Sequence, residues 1–190
     1  MIHTTELTLF ALALLAGAVL SATRQEQSDE HAPEQPVAEN ARLARLAGDY
    51  TWTSTFDVGD GSPPMSSTGT ARFTSILGGR FLQHEESGGM AGMPYDALKL
   101  YGYNASAERY EGLWLYTGST AMMNMTGASR DGGKTVQFDA SYALDASGAL
   151  MEFEITLAEI DANQFSIQLA FKAPEGAPTS KLKATYSRKR

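Results

Sequence analysis

The sequence predicts an all-β protein: one antiparallel up-and-down barrel of about ten strands, preceded by a short helix. Three observations predict it. Apolar and polar residues alternate at period two from residue 49 onward. Turn signals rich in Gly, Asp, Asn, Ser and Pro interrupt that alternation at short, regular intervals. No helical period lies between the strands, so nothing supplies the crossovers that parallel strands need. A two-sheet β-sandwich is the alternative allowed by the same pattern.

The first strand sets the rule. In DYTWTSTFDV (49–58), Tyr50, Trp52, Phe56 and Val58 share one face. Asp49, Thr51, Thr53, Thr55 and Asp57 take the other, as in a half-buried antiparallel strand. The run GDGSPP (59–64) is a turn. Further strands follow at 66–76, 80–87, 95–103, 109–117, 121–128, 134–144, 149–160, 164–172 and 181–187. Several alternate plainly, such as Val136, Phe138, Ala140 and Tyr142. Leu77, Gly78 and Gly79 suit a tight turn with positive φ. Residues 88–94 read as a Gly/Met/Pro loop. A meander of this length closes on itself, which removes its edges and leaves room for one small ligand.

Ahead of the strands, residues 7–20 read LTLFALALLAGAVL, uncharged and followed by small residues. That is the pattern of a secretory signal over 1–22, with cleavage after Ala18 or Ala22. It predicts an exported protein, periplasmic or secreted, with no membrane association after cleavage. An uncleaved membrane anchor is the alternative, although the apolar run is short for a bilayer. Residues 23–41 are polar, acidic and Pro-bearing, and read as a flexible linker. The barrel domain is placed at 42–190. Good helix formers over 38–47, stopped by Gly48, predict a short helix across its start. Leu43 and Leu46 lie on one face of that helix and suit it to lid one end of the barrel.

Composition narrows the function classes. Apolar residues at 43% and charged residues at 19% describe a folded globular chain. Cysteine is absent, which excludes disulfides, thiolate metal sites and a cysteine nucleophile. A net charge of −7 disfavours nucleic acid as a partner. The basic end Arg188-Lys189-Arg190 is a solvated chain end.

Several segments are similar to a known family. These are ILGGRFL (76–82), GMAGMP (89–94), LYGYN (100–104) and the run from Tyr110 to Trp114. LAGDY (46–50) and ATYSR (184–188) fit at the two ends. Together they resemble the bacterial DUF1579 family over residues 43–189. The resemblance implies a calycin-like barrel, related in shape to lipocalins, and implies no activity.

Candidate chemistry centres on RFLQHEE (80–86). His84 and Glu86 are two apart and share a face with Leu82. Facing inward, they make a carboxylate–imidazole pair able to do general acid–base work. Facing outward, they are solvated partners of cross-strand charges. Inward Gln83 and Glu85 would instead suit a polar ligand head. Arg80 could grip a ligand carboxylate bidentately, or pair with Glu85 or Glu86. Trp52, Tyr101, Tyr103, Trp114 and Tyr116 supply an aromatic wall, and Met93 adds an adaptable one. With Arg80 and His84, these form the candidate ligand-binding set. Met90, Met122, Met123 and Met125 fit an apolar lining better than a Cu(I) site. Only three histidines exist and His3 lies in the signal segment, so no metal and no cofactor is predicted. His84 is the only histidine among the strands, which argues against a Ser-His-Asp triad.

Three functions follow, in order. The first is an exported module holding a small apolar or amphipathic ligand in the barrel. The second is a structural or interaction module of the envelope. The third is a hydrolase or isomerase using His84 with Glu85 or Glu86. The ligand's identity and the oligomeric state are not written in the sequence.

Overall fold

The computed structural model describes residues 34–90, 92–172 and 179–190. The signal and linker readings for residues 1–33 lie outside that range. Among the described residues, no helix is long and apolar enough to cross a membrane.

Alternation becomes ten antiparallel strands. In chain order these are β1 (Gly48–Asp57), β2 (Met65–Ile76), β3 (Phe81–Met90), β4 (Met93–Asn104) and β5 (Arg109–Tyr116). They continue with β6 (Met123–Ala128), β7 (Thr135–Ala143), β8 (Leu150–Glu159), β9 (Gln164–Phe171) and β10 (Lys181–Arg188). Each strand pairs with the next, and β1 pairs with β10 with Trp52 opposite Tyr186. The sheet is therefore a closed barrel and not a sandwich. Closure leaves no unpaired edge.

Because the strands alternate in direction, the connections fall at two ends. One end is sealed by α1 (Ala38–Ala44). Leu43 and Leu46 are buried there, each contributing about 1.5–3 kcal/mol if fully removed from water. Asn40 pins the helix. Its Oδ1 accepts from the Val37 N–H at 2.9 Å, and its Nδ2 donates to the carbonyls of Arg80 at 2.9 Å and Tyr103 at 3.3 Å. Tyr50 donates to the Leu46 carbonyl at 2.9 Å and ties the helix exit to β1. The opposite end, where the β1–β2, β5–β6 and β7–β8 connections fall, carries no helix among the described residues.

Two details of β3 differ from the sequence reading. The strand starts at Phe81, and Arg80 belongs to the turn after Leu77–Gly79. Leu77, Gly78 and Gly79 all have positive φ, so the chain has not yet straightened at Arg80. The 88–94 segment is not a loop: the ladder continues through Gly89 opposite Pro94 to Met90 opposite Met93. The alternation is hidden there because glycine has no side chain to show which face it takes. Those glycines have a purpose. Gly69 and Gly88 are ladder partners, and the Trp52 indole lies across both. A Cβ on Gly88 would fall 2.5 Å from the Thr68 carbonyl oxygen and 2.6 Å from the indole. The core facing inward is aromatic: Tyr50, Phe73, Phe165 and Tyr186 pack edge-on and stacked, with 4.7 Å between the last two rings.

Gly88→Ala is therefore expected to overpack the wall and lower unfolding free energy by about 1–3 kcal/mol. Urea denaturation measures it, and an unchanged midpoint would contradict this packing.

Candidate functional site

The β3 residues Leu82, His84 and Glu86 point into the barrel, while Phe81 and Glu85 are exposed on its outer wall. The open question about this strand is thus resolved inward for the His84–Glu86 pair. It also separates Glu85 from His84, so a His84–Glu85 pair does not form.

Glu86 is the hub. One carboxylate oxygen accepts from the Tyr95 hydroxyl at 2.9 Å and from the Lys99 ammonium. The other accepts from the Tyr186 hydroxyl at 2.6 Å. His84 Nε2 lies 3.1 Å from that second oxygen, without the alignment of a hydrogen bond. The Lys99 ammonium also lies 4.3 Å from the centre of the Trp114 ring, on its face. Glu86, Lys99 and His84 are all buried, at 6%, 2% and 0% exposed.

Burial alone would raise the Glu86 pKa. The Lys99 charge opposes it, His84 and the hydrogen bonds add to that, and the carboxyl ends well below its usual range. Burial lowers Lys99, and its contact with Glu86 limits the fall. Burial, helped by the Lys99 charge, lowers His84 to about 4, so its ring is neutral at pH 7. That ring stacks on Phe73 at 3.9 Å. The cluster is a neutral sum of one anion and one cation. The anion accepts from three donors, while the His84 ring nitrogens and the Trp114 Nε1–H are buried without a hydrogen-bond partner among the described residues.

Above this cluster, toward the open end, lies an apolar cavity of about 240 Å³. Its wall includes Phe56, Trp114, Tyr116, Met123, Phe153 and Phe171. A second void of about 20 Å³ lies deeper, beside Trp52, Glu86, Lys99 and Tyr186. The two share Met90, Tyr95, Trp114, Leu169 and Leu182, so the charge cluster forms the cavity floor. Around the mouth, Met93, Met122, Leu144 and Leu150 are exposed. A larger depression of about 770 Å³ lies on the outer wall, beside Thr70, Arg72, Glu85 and Asp96. It is a groove between exposed side chains, of which Arg72 already pairs with Asp49 at 2.8 Å.

The sequence-named residues divide into three places. Met93, Trp114 and Tyr116 line the mouth cavity. Trp52 and His84 are buried deeper, with Trp52 at the inner void and donating to the Thr70 carbonyl at 3.2 Å. Tyr101 packs near His84, its ring centre 6.3 Å away. Arg80 and Tyr103 sit at the sealed end. Arg80 donates to the Leu77 carbonyl at 3.2 Å, and Tyr103 packs on Tyr110 at 5.0 Å. A strand running the length of the barrel carried those two away from the mouth. Lys99, Tyr95 and Tyr186 are the floor residues that sequence reasoning missed. The signal for Lys99 was present, because it sits on one face with Tyr95, Ala97 and Tyr101. Among the described residues, no group of three or more His, Asp or Glu is placed to hold a metal.

A closed barrel sealed at one end and hollow at the other defines a lipocalin-like architecture. The chain belongs to the DUF1579 family, described as a protein of unknown function, whose model matches residues 35–188. Solved structures share the fold. The crystal structure of Rv2717c from M. tuberculosis superposes with a TM-score of 0.59 at 14% identity, over 82% of this chain and 100% of that one. The S-type phycobiliprotein lyase CPES from Guillardia theta gives a TM-score of 0.52 at 10% identity, over 82% and 99%. No curated protein matches by sequence.

Lys99→Met should strand the Glu86 charge and cost about 3–5 kcal/mol. The double variant Lys99→Met/Glu86→Leu, which removes both charges, should regain most of that loss. Chemical denaturation of the single and double variants checks it, and equal stabilities for the two would contradict the pairing.

Proposed function

We propose that this protein is an exported binding module that holds a small apolar or amphipathic ligand in the open end of its barrel. The observation that carries the reading is the cavity of about 240 Å³, walled by aromatic and aliphatic side chains at one end of a packed interior. A core under selection for stability alone has no reason to keep such a space, since unfilled volume costs about 24 cal/mol per Å³ in large-to-small series. The exposed apolar residues on the rim extend the same surface outward. Export is part of the proposal on the ground of the apolar, uncharged stretch at 7–20.

The acid–base reading has less support. His84 and Glu86 do meet, but both are buried beneath the cavity and the carboxylate already accepts from Lys99, Tyr95 and Tyr186. The His84 ring nitrogens have no hydrogen-bond partner among the described residues, but the ring is fully buried and not exposed to a substrate proton.

Titration with the neutral apolar fluorophore N-phenyl-1-naphthylamine tests the reading. The wild-type protein should bind it with enhanced emission. Leu182→Trp, which fills the cavity from its wall, should weaken binding by about tenfold or more. Absence of binding to the wild type, or equal binding to the variant, would refute the site.

A further inference from the structure

We infer that the ligand is a single-chain amphiphile that enters tail first, its polar head remaining at the rim. The inference rests on the cavity reading above and goes beyond it in ligand class and direction.

The floor carries the argument. A polar head pushed inward needs partners, because burying it unpaired costs several kcal/mol in apolar surroundings. The inner end of the barrel has the right donors in Lys99, Tyr95 and Tyr186, and all three already serve Glu86. The protein has placed its own carboxylate where a ligand carboxylate would go. A second anion there would face Glu86 at short range in a medium of low dielectric. A hydroxyl or carbonyl head would find only the Trp114 Nε1–H and the His84 ring unpartnered at this level among the described residues, and would have to fit beside them. The inner void, about 20 Å³, has no room for a head group beside the existing side chains.

The mouth points the same way. The cavity is smaller than the ~300–1,000 Å³ of sites that engulf a whole drug-sized ligand. Part of a larger molecule must therefore stay outside, and the part inside meets an apolar wall. Exposed Met93, Met122 and Leu150 continue that wall onto the rim, where an alkyl chain leaves the cavity and its head reaches water.

Bromine on a decanoate chain reads the direction, because both tryptophans of the sequence, Trp52 and Trp114, line the inner void. The full protein is loaded with N-phenyl-1-naphthylamine, which is then displaced by ω-bromodecanoate or by α-bromodecanoate. Intrinsic tryptophan emission is next recorded with each acid alone. Both acids should displace the probe with similar affinity. The ω-bromo acid should remove about half or more of the tryptophan emission by heavy-atom contact, and the α-bromo acid little. Stronger quenching by the α-bromo acid, or equal quenching by both, would overturn tail-first entry and leave the cavity reading standing. Failure of both acids to displace a bound probe would overturn the amphiphile class while sparing the cavity. A probe that never binds refutes the cavity itself, and this inference with it. Glu86→Ala adds a second readout. Freeing Lys99 and opening space beside it should admit some inverted ligand, raising the α-bromo quenching relative to the ω-bromo. An unchanged ratio would count against the role given to Glu86.

Discussion

One carboxylate organises the interior. Glu86 reaches the barrel axis from β3 and collects hydrogen bonds from β4, through Tyr95 and Lys99, and from β10, through Tyr186. β3 and β4 are neighbours and β10 lies three strands from β3 through β2 and β1, so the contact ties that arc of the wall together through the interior. A buried ion pair of this kind adds little net stability, because desolvation offsets most of its attraction. Its effect is to fix geometry. Toward α1 from this level the interior is packed with aromatic rings and with aliphatic side chains such as Leu43, Leu82 and Val136, and toward the mouth lies the apolar cavity. The floor between them is electrically neutral, and its carboxylate already accepts three hydrogen bonds.

The seal at the other end depends on the same economy of partners. A single side chain, Asn40, caps the start of α1 and bridges it to the backbone at the sealed ends of β3 and β4. Arg188 donates to the Ala47 carbonyl at 2.6 Å and closes the seam between the first and last strands. The barrel is therefore stiff at one end, and the chain is free to keep unfilled space at the other.

Much of the fold was legible because period two is a strong signal wherever one face is apolar and the other polar. β1, β7, β8 and β9 were plain for that reason. The helix lid followed from Leu43 and Leu46. The β3–β4 hairpin was misread as a loop because Gly88 and Gly89 carry no pattern, and the need for Gly88 lies in Trp52, far away in sequence. The site was legible in part. Trp114, Tyr116 and Met93 were placed in it by residue type, and His84 and Glu86 by their spacing. Lys99 escaped because its neighbours Leu98 and Leu100 made both faces of β4 look apolar, so the buried side was not evident. Tyr186 escaped because its partner is 100 residues away. Arg80 and Tyr103 were assigned by chemistry alone, and distance along the barrel axis, which composition does not encode, removed them.

Glu86 and Lys99 are charged together at the cavity floor, and the interior is built around that pair. Site-resolved NMR measures this directly, from the Glu86 side-chain carboxyl carbon and the Lys99 side-chain nitrogen as pH is varied. The carboxyl carbon should hold its ionised shift as pH falls through the ordinary glutamate value of 4.5, and the nitrogen should report an ammonium at pH 7. A carboxyl that takes up its proton at or above that value, or a neutral Lys99 amine at pH 7, would contradict it.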